Sequence, residues 1–314
     1  MTTPWTIRAA RTLAAAVTDR APAVAVVTAD PDGTEIVTAG CEPGDGFEIG
    51  SITKTMTGTL LADAVVGGRV SLDDPVGRWL DAGENADITL GELATHTSGL
   101  PRLSPSHLGG AADPYAFLTA DAAQHELRIS PRPHRADHEY SNFGFQVLGL
   151  ALERAAGTPF GTLLSRRLCT PLAMEHTAVD GTSLQGHRAG KPVRPWTRHL
   201  AGAGGVVATA PDMAAYLHAC LMAPEGALGS AMELAQRPHH RIDRLRSAGL
   251  GWALGPPGYL GHTGGTSGFR SMLGLRITGR RAAVVLANEA GTPGLAAAVR
   301  AVLDTDTAAG PHRP

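Results

Sequence analysis

Lys54 lies in an apolar run that a soluble chain keeps in its core. Ile52, Met56, Leu60, Leu61, Ala64 and Val65 recur at the spacing of a helix, and Gly67-Gly68 stops the run, which predicts a buried helix opened by Ser51. Lys54 is one of two lysines, the other being Lys191, against twenty-five arginines. A chain that otherwise takes its positive charge from arginine has kept here the one cation able to lose its proton near neutral pH, as a catalytic base must. Three residues is close to one helical turn, so Ser51 Oγ and Lys54 Nζ can meet on one face. Free backbone N–H groups and the positive end of the helix dipole favour a serine alkoxide or a nearby oxyanion. Ser-x-x-Lys is also what an N-cap followed by a solvated lysine looks like, so this motif alone decides nothing.

A second constellation is Glu139-Tyr140-Ser141-Asn142, followed by an apolar run from Phe143 to Ala151 that reads as a helix. A tyrosine held between cations can lose its proton and relay it between a serine and a leaving group; an asparagine carboxamide both donates to and accepts from a substrate amide. The same residues suit a tyrosine buried beside an N-cap. The third is Gly261-His-Thr-Gly-Gly-Thr-Ser-Gly268, set between a short extended piece, Leu250 to Leu254, and two strand-like runs, Phe269 to Ile277 and Arg281 to Ala287. His262 and Thr263 ahead of Gly264-Gly265 suit the inner edge of an active-site strand, with an N–H near Gly265 as an oxyanion donor. A glycine-rich hairpin turn is the alternative.

Taken in order, Ser-x-x-Lys, Tyr-x-Asn and His-Thr-Gly resemble the serine β-lactamase and penicillin-binding-protein superfamily, and above all class C β-lactamases with their D-alanyl-D-alanine carboxypeptidase, D-aminopeptidase and esterase relatives. Further shared phrases are Leu93-Ala-Thr-His-Thr-Ser-Gly-Leu-Pro101, Ala201-Gly-Ala-Gly-Gly205 and Gly264-Gly-Thr-Ser-Gly-Phe269, and the resemblance runs from about Ala23 to Asn288. It implies an α/β fold of the α+β kind, with an antiparallel sheet flanked by the terminal helices and an all-helical lobe. The whole chain is then one catalytic unit, residues 1–314, with an α/β lobe of about 1–69 and 241–307 and a helical lobe of about 70–240.

Local signals agree with that layout. Thr6 to Asp19 is amphipathic, Asp30-Pro-Asp-Gly33 is a hairpin signal between Ala23–Thr28 and Glu35–Thr38, Thr209-Ala-Pro-Asp212 reads as a helix start, and Gly294 to Leu303 as a last helix. The residues from Ala308 onward read as a frayed end. With 314 residues, 43% hydrophobic and a formal charge of −2, the chain can bury a large core and offers no argument for nucleic acid or an anionic membrane as partner. Nothing in it sets an oligomeric state.

Met1 to Arg20 lacks the plan of a signal peptide, since the apolar stretch Leu13 to Val17 is short and no small-residue cleavage site follows; the expectation is a cytoplasmic protein. Cys41, Cys169 and Cys220 are compatible with a reducing compartment. His134 and His138 have ligand-like spacing but sit in a proline-interrupted segment, and no metal or other cofactor is expected. His96 reads as a packing or capping residue, and His239-His240 as an exposed basic turn.

The resemblance implies a mechanism. Ser51 attacks an acyl carbonyl, its proton leaves through Lys54 and Tyr140, and the backbone N–H groups of Ser51 and Gly265 hold the oxyanion. Tyr140 protonates the leaving group while Asn142, Thr263 and Gly264 position the acyl group. The absence of a Glu-x-x-Leu-Asn segment argues against the class A route to deacylation. His262 stands where β-lactamases of the superfamily usually have lysine, and with a reference pKa near 6.5 it is expected to be partly charged at neutral pH and to attract a substrate carboxylate weakly. The leading expectation is a serine hydrolase acting on a small ester, amide or D-peptide-like substrate. An acyltransferase passing the same acyl group to an amine or alcohol, and a non-catalytic binding or sensing domain, are the alternatives.

Overall fold

A computed structural model of the chain describes residues 2–104, 113–132, 135–256 and 258–305. The N-terminal helix α1 (Pro4–Val17) starts with a capping box, Thr3 and Thr6 each bonding the other's backbone N–H, and with Pro4 in its first turn. Strands β1 (Val24–Asp30) and β2 (Gly33–Ala39) follow as a hairpin whose register closes at Asp30 opposite Gly33, where Asp30 Oδ1 accepts from the N–H of Asp32 and Gly33. After a short β3 (Phe47–Glu48) and a tight 3₁₀ turn, Gly50–Ile52, comes α2 (Thr53–Val66).

The middle of the chain holds α3 (Leu90–Ala94), α4 (Ala120–Ile129), α5 (Asn142–Ala156) and α6 (Phe160–Leu164), then β4 (His187–Arg188), β5 (Lys191–Pro192) and β6 (Val207–Ala208). Helices α7 (Ala210–Met222) and α8 (Ala227–Gln236) lead into β7 (His240–Arg241), β8 (Ser247–Ala248), β9 (Ala253–Gly255), β10 (Tyr259–Gly265), β11 (Arg270–Arg276), β12 (Arg281–Ala287) and the last helix α9 (Leu295–Leu303). Among the described residues the main sheet is antiparallel and runs β2-β1-β12-β11-β10-β9-β8-β7. The expected mixed fold with an antiparallel sheet flanked by the terminal helices is therefore present, both helices lying on one face.

Burial along β1 and β12 shows how the sheet is covered. Val24 and Val26 of β1, with Ala283 and Val285 of β12, pack against Trp5, Leu13 and Val299 of α1 and α9. The alternate residues, Ala25, Val27, Val284 and Leu286, face the larger core. Both faces are apolar, so both need a cover, and the second one is supplied in part by α7, which contacts β1, β2 and β12, while α8 packs on α2. The lobe boundary read near residue 240 thus assigns to a separate helical lobe two helices that the sheet and α2 require. The segment is also not all helical, because β4–β5 and the β3–β6 pair lie in or reach into it.

Helix α2 is buried on every side from Thr53 to Ala64, Lys54 included. Its polar side chains are satisfied internally, Thr57 donating to Gly202 O at 2.7 Å and Asp63 accepting from both Arg69 and Arg167. No helix among the described residues is long and apolar enough to cross a membrane. The predicted fraying from Ala308 and the position of His134 lie outside the described residues.

Candidate active site

Three parts of the chain converge on Ser51. The 3₁₀ turn that carries it places side chains i and i+3 in line, and Lys54 Nζ stands 3.0 Å from Ser51 Oγ. The expected α-helical start is in fact this tighter turn, with α2 beginning at Thr53. Gly50 makes the turn possible in two ways. Its φ of +52° lies in the left-handed region, and a methyl group there would stand 2.5 Å from Gly265 N. The amide of Gly265, at the end of β10, is in this way brought against the Gly50–Ser51 backbone. Gly264 is needed for the same close approach, since a methyl on it would lie 2.1 Å from Ile49 O.

Lys54 is fully buried and its amine has three neighbours: Ser51 Oγ, Asn142 Oδ1 at 2.9 Å, and the carbonyl oxygen of Ala203. Burial, reinforced by the positive charge of Arg102, holds Lys54 well below the usual lysine range. Both carbonyl oxygens can only accept. A neutral amine gives them its two N–H groups and turns its lone pair to the Ser51 hydroxyl.

Tyr140 enters from the turn ahead of α5, whose N-cap Ser141 accepts from Gly144 N at 2.8 Å. Its ring centroid lies 5.0 Å from Lys54 Nζ, and its phenol is near enough to Ser51 for the serine hydroxyl to influence it. Burial pushes that phenol up to about 12, against the opposing effects of Ser51 and of Arg102. Placement between cations therefore does not ionise Tyr140, as the sequence alone had suggested it could. His96 lies beneath it at 4.6 Å between ring centroids and, through Nδ1, accepts from Ser141 N at 3.1 Å. It holds the Tyr140 turn in place, the packing and capping role expected of it. Asn142 donates from Nδ2 to Tyr115 Oη at 3.3 Å, which orients its Oδ1 to Lys54.

His262 sits across from Tyr140, their ring centroids 6.0 Å apart. Its Nδ1 is 2.7 Å from Thr263 O, and since a carbonyl only accepts, Nδ1 carries the proton and Nε2 is left as an acceptor. Part of its surface is open, yet the ring is enclosed by protein, and desolvation together with Lys54 lowers its pKa to about 4. The expectation of a partly charged histidine at neutral pH is thereby corrected: at pH 7 His262 is neutral. Between about 4 and the ordinary value near 6.5 the folded state binds fewer protons here than the unfolded chain, so this group's contribution to stability falls as pH drops through that window. The His262 imidazole resonances are expected to stay constant in an NMR titration from pH 8 to about 5.5. A midpoint near 6.5 would mean that the ring is solvated rather than enclosed.

Two cavities meet at this point. One, of about 470 Å³, is polar and takes in Ser51, Asn142, Gly265, Arg102, Arg198 and Arg270. The other, of about 500 Å³, lies behind His96 and His262 and is lined by Trp252, Leu254, Tyr259, Met272 and Arg300. Tyr140 and Thr263 border both. The sequence reading found Ser51, Lys54, Tyr140, Asn142, His262, Thr263, Gly264 and Gly265, and the structure gathers all of them. It missed Arg102, Tyr115, Gln146, Trp196, Arg198 and Arg270, of which Arg102 and Arg270 directly follow two of the shared phrases, at Pro101 and Phe269. Among the described residues no group of three or more His, Cys, Asp or Glu is arranged to hold a metal ion.

Comparison with known proteins adds an independent line. The chain is 30% identical over 256 residues to the D-alanyl-D-alanine-carboxypeptidase/endopeptidase AmpH of Escherichia coli strain K12, an alignment covering 70% of this chain and 65% of that protein. It is 30% identical over 222 residues to a Beta-lactamase of the same strain, covering 66% and 57%. With a Beta-lactamase of Pseudomonas fluorescens it shares 30% over 225 residues, covering 67% and 60%. The chain thus spans 57% to 65% of the length of these relatives. A sequence model of the family described as Beta-lactamase matches residues 7–307, a span that holds every residue of the site, and the chain belongs to the beta-lactamase family.

Proposed function

We propose that the protein is a serine hydrolase that forms an acyl-enzyme on Ser51 and cleaves a small ester or amide, a D-peptide-like amide or β-lactam included. One observation supports this above the others: Ser51 Oγ lies between a buried amine held far below its ordinary pKa and a phenol held above it. Base and acid are thereby assigned to different residues. Lys54, neutral, takes the Ser51 proton as the oxygen attacks the acyl carbon. Backbone N–H groups of Ser51 and Gly265 stabilise the oxyanion. Tyr140, still protonated, gives its proton to the departing alcohol or amine as the tetrahedral intermediate collapses, and is recharged from Lys54. Asn142 and Thr263 hold the acyl group, and water releases the product.

The test is intact-mass spectrometry with a fluorophosphonate and a panel of activated esters and β-lactams. A single adduct mapping to the Ser51 peptide is expected; an adduct on another residue, or none from any reagent, contradicts the reading. The acyltransferase reading draws support from the apolar cavity beyond Tyr140, which has room for an acceptor next to the proton donor. Adding amines or alcohols to the acylated protein separates the two, since an acyltransferase releases the acyl group to them faster than to water.

A further inference from the structure

The polar cavity beside Ser51 carries more positive charge than the protein neutralises. Among the described residues three guanidinium groups line it, those of Arg102, Arg198 and Arg270, against one carboxylate, Glu48. Arg198 uses that carboxylate, donating to Glu48 Oε1 at 2.8 Å and to the carbonyl oxygens of Val179 and Gly181. Arg102 lies over the Tyr140 ring at 5.0 Å and Arg270 folds over Gly265, its Nη1 3.1 Å from where a methyl on that glycine would be. Neither has a carboxylate within ion-pair distance among the described residues. A cavity wall that presents two guanidinium groups without a carboxylate partner suits an anion, because an entering carboxylate gains charge-assisted bonds to them. His262 offers no such charge at neutral pH, since burial and the nearby Lys54 lower its pKa to about 4.

We propose that the acyl group of the substrate ends in a carboxylate, recognised by the guanidinium groups of Arg270 and Arg102, and not by His262. This rests on the serine hydrolase reading for the placement of the acyl group in the polar cavity. The substrate class is then an ester or amide of a dicarboxylic acid, hydrolysed at one end and held by the free carboxylate at the other.

Equilibrium binding tests the site without turnover. On the Ser51→Ala protein, calorimetry with monomethyl glutarate and its neutral counterpart dimethyl glutarate is expected to show the anionic ester bound about tenfold or more tightly at low salt. The advantage should shrink as salt is raised from 0.05 to 0.5 M, a range in which screening strengthens several-fold. Arg270→Gln and Arg102→Gln should each bring the ratio toward one, and Arg270→Lys should keep part of it. Equal binding of the two esters, or a ratio that survives both glutamine substitutions, overturns the proposal. The p-nitrophenyl ester of glutaric acid, offered to the protein with Ser51 intact, reports on the hydrolase reading separately: selective binding with no acylation would sink that reading and leave the anion site standing.

Discussion

Replacing Lys54 with arginine is expected to abolish turnover almost as fully as Lys54→Ala, a loss of about a hundred- to ten-thousand-fold, the usual effect of removing a positioned proton acceptor. Arginine keeps the charge but cannot lose its proton, and its five N–H groups leave no lone pair for Ser51 Oγ. The site also cannot accommodate it as a cation without cost, because the position is fully buried and its two remaining partners, Asn142 Oδ1 and Ala203 O, are both carbonyls. The pH profile gives a second reading of the same group. On the proposed mechanism, which uses neutral Lys54 and protonated Tyr140, kcat/KM should rise with pH through a Lys54 pKa well below the ordinary range and fall only toward about 12. Stability should rise with pH over the interval between the lowered pKa and the ordinary value of about 10.4, since the unfolded chain binds the proton that the folded chain excludes. A Lys54→Arg protein with near-native turnover would show that the residue acts as fixed charge only.

Gly50→Ala is expected to lower kcat by about a hundred- to a thousand-fold, the cost of losing one oxyanion donor, although the substitution adds a single methyl group. That methyl meets backbone, standing 2.5 Å from Gly265 N and 3.0 Å from Gly265 O, so no side-chain rotation relieves it and β10 must move away from Ser51. The left-handed φ of +52° adds a backbone cost of about 1–2 kcal/mol, which a lowered Tm should register. Fluorophosphonate labelling should slow in parallel with turnover, because both pass through a transition state with charge on the same oxygen. If kcat is kept while Tm falls, the Gly265 amide is not an oxyanion donor, and the close packing of Gly50 serves the fold alone.

The parts of the site legible in sequence were those carried by short spacing. Ser51 and Lys54 are one turn apart, Tyr140 and Asn142 share a helix entrance, and His262 to Gly265 form one strand end. The Asp30–Gly33 hairpin and the Thr209 cap followed from local turn and cap chemistry. Arg102 and Arg270 were less visible because an arginine in a loop or at a strand start looks the same whether it faces water or a cavity. The covering role of α7 was hidden for a related reason: its apolar face specifies burial but not the partner, and that partner is the second face of β1 and β12.

By itself, then, the sequence determined which chemical groups the protein has and the local turns, helix starts and strand ends that carry them. The tertiary structure alone decided their protonation. Lys54 is held well below the usual lysine range, Tyr140 kept protonated and His262 held neutral chiefly by desolvation, which depends on atoms supplied by distant segments packed together. Ala203, 149 residues beyond Lys54, closes its hydrogen-bond set, and Asn142 is 88 residues away. Such an environment is a property of enclosed volume, and no spacing along the chain encodes it.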